Sequence, residues 1–138
     1  MASTERDKPQ TMAEAIDVIE SIYELMLAYA AQGRAREQDD PMGIREALHR
    51  ADAALDLIEA TTPASMGAPD GALLAAAAAM LAILQQDAVR ARAAFRFVAA
   101  QPTIGSQMID NLNASIHVRA LLTDLFLIDE ALEAGGRS

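Results

Sequence analysis

Cysteine and tryptophan are absent from this chain, lysine occurs once (Lys8), and only five aromatic rings are spread over 138 residues. Without cysteine there can be no disulfide, no thiolate metal ligand and no thiol nucleophile. Positive charge is scarce as well: eleven basic residues face twenty acidic ones, a formal charge of -9. Phosphate backbones reward lysine and arginine, so this excess of acid excludes a non-specific nucleic-acid binder. No uninterrupted apolar run reaches the roughly 18 residues of a membrane span, and a membrane is not among the expected partners. The polar opening, Met1 to Gln10, lacks the apolar stretch of a signal peptide, which makes the cytoplasm the expected location. A Walker loop, a dinucleotide fingerprint, zinc-ligand spacings and a basic recognition helix are all missing, and no cofactor is expected.

What is present is alanine, 31 residues of it. Alanine is the best helix former and β-branched residues are few, so summed propensity favours helix nearly everywhere. Residues 1–10 read as a flexible N-terminal tail, 11–134 as a single domain and 135–138 as a short C-terminal tail. Thr11 and Glu14 have the spacing of a capping box. Behind them Met12, Ile16, Ile19, Tyr23, Met26 and Ala30, with a second row at Ala15, Val18, Ile22, Leu25 and Tyr29, make one wide apolar face. This first helix is expected to end near Arg36, before the charged run Glu37 to Asp40. Asp40 and Pro41 suit the N-cap and first position of a second helix. Ile44, Leu48, Ala51, Leu55 and Ile58 form its seam, up to about Ala60.

Thr61 to Pro69 holds two prolines and a glycine, and reads as the longest connection. Asp70 is placed to cap a third helix, in which Leu74, Ala77, Leu81, Leu84, Ala88, Ala91, Phe95 and Val98 keep one register to about Ala100. A fourth helix is expected from near Ile104 to Ala134, with Gly135 and Gly136 as its stop. The fold class that follows is all-α: an antiparallel up-down-up-down four-helix bundle with long third and fourth helices.

Helices three and four carry more apolar surface than a lone bundle needs. From Ala72 to Leu84 no side chain is polar. In the fourth helix Ile109, Leu112 and Ile116 share one side, while Val118, Leu121, Leu125, Ile128 and Leu132 fall roughly opposite when projected at about 100° per residue. A second helix of about 30 Å cannot cover partners of about 46 Å. The third and fourth helices should therefore overhang it. Exposed apolar surface of this kind marks association, and the expected partner-binding residues are Leu73, Leu74, Met80, Leu81, Leu121, Leu122, Leu125 and Phe126.

Charge is expected to gather at the two ends: Arg34, Arg36, Arg45, Arg50, Arg90, Arg92 and Arg96 at one, Glu14, Asp17, Asp56, Glu59, Asp70, Asp124, Asp129, Glu130 and Glu133 at the other. Arginine forks suit anions, but local ion pairs explain these side chains more simply. Glu46 and His49 form half of the Glu-x-x-His motif of di-metal bundles, yet Ala114 stands three positions before His117, where the second glutamate would be; no metal site is expected. Asp52 and Ala53 stand where a phosphotransfer histidine would need a basic residue and a glycine, so His49 is expected to be a surface residue paired with Asp52. Asp110, Asn113, His117 and Asp124 form the one polar stripe on the fourth helix. Without a nucleophile, an oxyanion site or a phosphate loop beside them, these residues are expected to face solvent.

The function expected from these features is non-catalytic. It is that of a helical protein-binding module, an adaptor, chaperone or regulator, that forms a homo-oligomer, a dimer first of all, or clasps an amphipathic helix of a protein client. The alternative is a ligand-binding or enzymatic bundle using Asp110, Asn113 and His117, with a pocket beside His117.

Overall fold

The computed structural model describes residues 8–37, 43–66 and 71–134. Over these residues the chain is all-helical, with no strand. The helices are α1 (Met12–Ala30), α2 (Ile44–Ala60), α3 (Gly71–Ala99), α4 (Ser106–Ala114) and α5 (Ile116–Ala134), and a short 3-10 turn spans Pro63–Met66. Five helices are thus present among the described residues where four were expected.

The start of α1 follows its sequence signal. The Thr11 hydroxyl accepts from the Glu14 N–H at 3.1 Å, and the Glu14 carboxylate reaches back to the Gln10 N–H at 2.8 Å. Two amides that a helix start leaves unbonded are satisfied in this way. Its end departs from expectation. Rather than running to Arg36, α1 stops at Ala30, and Gly33 adopts a left-handed φ of 68° that favours glycine. The connection from residue 31 to 43 consequently exceeds the one from 61 to 70, which was expected to be longest. The Asp40 and Pro41 cap lies outside the described residues; α2 begins at Ile44 with Gly43 as its N-cap. Asp70, Gly135 and Gly136, like residues 1–7, also lie outside them.

The largest departure is a break in the expected fourth helix. Ser115 is extended (φ -60°, ψ 134°), ending α4 with its N–H on the Leu112 carbonyl and opening α5 with its hydroxyl on the His117 N–H at 3.2 Å. Serine is a strong N-cap because its hydroxyl replaces a missing intrahelical acceptor. The break resets the helical phase. Ile109 and Leu112 on α4, and Val118, Leu121, Leu125 and Ile128 on α5, are all buried in one core even though a continuous helix would set them on opposite sides.

That core also takes Ile16, Ile19, Ile22 and Met26 from α1, Leu48, Leu55 and Ile58 from α2, and Leu81, Leu84 and Phe95 from α3. Helix α1 packs on α2 and α4, and α3 packs between α2 and α5. Alanines at 47, 51, 54, 88 and 91 are fully enclosed, which lets α2 and α3 approach closely. These two run antiparallel. Arg45, in the first turn of α2, bonds the carbonyls of Ala99, the last residue of α3, and of Gln101 just beyond it, and the Gln85 amide donates to the carbonyls of Ile58, Glu59 and Thr61 at the end of α2.

One end of the molecule is tied by polar groups. The Tyr29 hydroxyl donates to the Ile104 carbonyl at 2.6 Å, Ser106 Oγ donates to the Tyr29 carbonyl at 2.7 Å, and the Arg34 N–H donates to Ser106 Oγ at 2.8 Å. Glu37 accepts from the Ile104 N–H and pairs through both oxygens with Arg45. The Arg45 hydrogen bonds hold the Glu37 carboxyl below its ordinary value, and burial pushes the Tyr29 phenol up. Gly105 sits so close that a Cβ there would lie 2.8 Å from the Ala35 carbonyl oxygen.

Candidate functional site

The eight residues expected to form the partner-binding surface separate into two groups. Leu81, Leu121, Leu122 and Leu125 are buried in the chain's own core. Their assignment to a docking surface is corrected: the Ser115 break turns the apolar side of α5 inward, and Leu81 belongs to the inner row of α3. Leu73 and Phe126 are exposed, and Leu74 and Met80 are partly so.

The start of α3 is only partly covered: the 3-10 turn at Pro63–Met66 folds back on the helix, and Met80 packs on the core. The buried residues of α3 begin only at Leu81, so no side chain of residues 71–80 is buried. By length and composition α3 is apolar enough to cross a membrane, with 17% of the relevant stretch buried. Large apolar groups outside the expected set are exposed on α3: Ile83 is 50% exposed, Val89 55% and Phe97 68%, and Leu73, in phase with the inner row, is 60% exposed. The signal was available. Ala72, Ala76, Ala79, Ile83, Gln86, Arg90, Ala93 and Phe97 repeat in steps of four and three, a second row opposite the inner one, and every one of them is exposed. On this side only Gln86, Arg90 and Arg96 are polar, and on α5 Leu127 is exposed as well.

The expected basic end is largely neutralised. Arg92 pairs with Asp52 at 2.8 Å, Glu59 at 3.1 Å and Asp56 at 3.3 Å, and Arg96 pairs with Asp52 at 2.7 Å. Between two guanidinium groups, whose hydrogen bonds favour the charged form, the Asp52 carboxyl is lowered to about 2. Arg90 pairs with Asp87, Arg45 with Glu37, and Arg34 stacks over the Tyr29 ring at 5.3 Å. Asp52 therefore serves α3, and His49, expected beside it, stands exposed on α2. These pairs fix α2 against α3, which is structural chemistry.

The polar stripe of the expected fourth helix is divided by Ser115. Asp110 and His117 are exposed, whereas Asp124 is buried and both amide atoms of Asn113 are enclosed without a hydrogen-bond partner. The expectation of a shared solvent face is corrected for Asp124: the reset phase turns it toward α3, where the carboxyl of Asp87 lies beside it. Burial disfavours its charged form, Asp87 adds repulsion, and the Asp124 carboxyl is pushed up to about 7. An open depression of about 570 Å³ is lined by Ala114, Ile116, Arg119, Ala120, Thr123 and Asp124, and His117 is not part of its lining. Asp110 and Asn113 are not part of it either.

Among the described residues no three histidine or carboxylate side chains are placed to hold a metal ion. Of the eight exposed large apolar side chains among the described residues, four, Leu73, Ile83, Val89 and Phe97, lie on α3, and this helix is the candidate site. Comparison with protein-family profiles, with curated proteins and with solved structures yields no match to this chain.

Proposed function

We propose that this chain is a non-catalytic, protein-binding helical module, of the adaptor, chaperone or regulator kind, that works by burying the outer face of α3 against another protein. In this reading α4 and α5 together serve as the fourth rod of an antiparallel up-down-up-down bundle, with α3 overhanging it. One observation carries the proposal: α3 exposes Leu73, Ile83, Val89 and Phe97 on an alanine-rich helix in which no residue before Leu81 is fully buried. Several large apolar side chains exposed along one helix are a mark of an association site, since covering apolar surface releases about 25 cal/mol per Å².

A photo-activated crosslinking residue placed at Ile83 tests this in the cell that makes the protein. Discrete protein adducts are expected there, and Val89→Glu should remove them because a charge would then have to be desolvated. Leu27, an exposed apolar residue on α1, is the control. An Ile83 probe that gives no adduct, or no more than a Leu27 probe, overturns the proposal.

A further inference from the structure

We propose that Asp124 and Asp87 form a proton-held latch between α5 and α3, and that loss of the one proton they share lets α5 open from the bundle about Ser115 while α1, α2 and α3 stay packed. This regulatory device is separate from the docking role of α3, and neither depends on the other.

The latch follows from contacts. Asp124 is only 9% exposed, and its Oδ2 is enclosed with no hydrogen-bond donor beside it. Within hydrogen-bond reach of its carboxyl lies that of Asp87 on α3. Two ionised carboxylates have no hydrogen to place between them and repel each other, so the contact needs one proton. Its holder is set by the surroundings. Arg90 meets Asp87 at 3.4 Å, a guanidinium that favours the charged form of that carboxyl. Asp124 has no such partner: Arg119 lines the same depression without bonding to it, and His117 stands exposed two turns earlier on α5. Of the other elements that α5 touches, neither the α1 acids Glu14, Asp17, Glu20 and Glu24 nor Asp110 of α4 acts on it. The proton therefore sits on Asp124 and is donated to Asp87.

The hinge comes from the backbone. Ser115 is extended, so α5 is joined to α4 through one non-helical residue. Helix α5 packs chiefly on α3 and more lightly on α4 and α1, whereas α2 is bound to both α1 and α3, with the Asp52 pairs to Arg92 and Arg96 closing the second contact. The rod that can leave without disturbing those pairs is the one that carries the proton. Its opening bares Leu121, Leu125 and Ile128, adding buried side chains to the apolar groups that α3 already shows.

Closed, the pair keeps its proton up to about pH 7, while a free aspartate releases it near 3.8. Between those values the closed form binds one proton more than the open form, and each unit of pH rise favours opening by up to about tenfold. Above about 7 both forms are ionised and the dependence ends.

Amide exchange of the full chain from pH 5 to 8, divided by the intrinsic rate at each pH, tests the latch. Amides of residues 121–132 are expected to open more readily than those of 48–58 in α2, with an opening constant that rises about tenfold per unit between pH 5 and 7 and then flattens. Asp124→Asn, whose amide donates to Asp87 as the protonated acid does, should hold α5 closed without pH dependence. Asp87→Asn, which removes the repulsion from the other helix, should move the rise to lower pH, and it serves if the first variant fails to fold. An α5 opening that is flat with pH in the parent overturns the shared proton. A slope that both variants keep unchanged places the titration elsewhere and overturns it as well. If 121–132 and 48–58 open with one constant, α5 leaves only when the whole chain unfolds, and the hinged motion is overturned.

Discussion

At one end of the molecule Tyr29, Arg34, Glu37, Arg45, Ile104 and Ser106 tie the connection after α1 to the connection before α4 through hydrogen bonds of 2.5 to 3.1 Å. At the other, the first three turns of α3 extend without one buried side chain. The first end is closed by polar groups that satisfy one another and need nothing further. The second carries apolar side chains that the chain covers only in part, Leu74 and Met80 half-buried and Leu73 exposed. A chain that closes one end so completely and leaves the other greasy has the means to hide apolar surface, so the exposed face of α3 reads as a place kept for something else.

Amide exchange should show the contrast at its largest. Backbone amides of residues 73–80 are expected to exchange orders of magnitude faster in the dissociated chain than those of 88–98, which lie in the core-packed half of α3, because local opening at an overhang breaks few tertiary contacts. Equal protection in the monomer would mean that the overhang is covered. Truncations compare the same two environments by energy. Leu125→Ala should destabilise the chain by about 2–5 kcal/mol in urea unfolding, as a fully buried leucine, and Phe97→Ala by no more than about 0.5 kcal/mol. Similar losses at both positions would show that Phe97 is enclosed.

Acid pairs give a second comparison, in which two aspartates impose opposite pH slopes. Asp124 has a folded value of about 7 against 3.8 for the free side chain. Its contribution is full below about pH 4 and is lost as pH rises toward 7, where the folded chain must give up a proton that the unfolded chain has already released. Asp52, lowered to about 2, stabilises above pH 4, and its contribution disappears as pH falls through 2. Asp124→Asn is therefore expected to abolish the decline between pH 4 and 7 and to leave the variant more stable than the parent at pH 8, as read by thermal melts across pH. A variant that keeps the slope would place the titration elsewhere. At the closed end Gly105→Ala should cost about 1–3 kcal/mol, since a methyl group 2.8 Å from the Ala35 carbonyl must push two connections apart. Alanine at Gly33, where space is open, meets only the strain of a left-handed φ, about 1–2 kcal/mol.

Much of the fold was legible in the sequence. The capping box at Thr11, the seam of α2, the inner row of α3 and the overhang itself are written in residue spacing, because helix faces obey a fixed period. The α5 part of the docking surface was misread at a single residue. Ser115 lies in a run with neither proline nor glycine to mark a break, although Asn113, Ser115, Ile116, His117 and Val118 are weak helix formers and its hydroxyl is well suited to cap α5. Missing it turned Leu121 and Leu125 outward and Asp124 toward water. The outer row of α3, from Ala72 to Phe97, was equally readable but was passed over, because alanines and an isolated Ile83 or Phe97 do not announce a seam until the opposite row is known to be buried.

Composition and periodicity by themselves determined that this chain is helical, that α2 is too short for its neighbours and that apolar surface is in excess, since each is a local or additive property. Which residues carry the excess was decided by tertiary structure alone. One extended residue reset the phase of the last helix and drew its leucines into the core, while two antiparallel helices locked by Asp52, Arg92 and Arg96 fixed which side of α3 faces out. Phase and pairing depend on contacts between residues far apart in the chain, and a pattern read along the chain does not contain them.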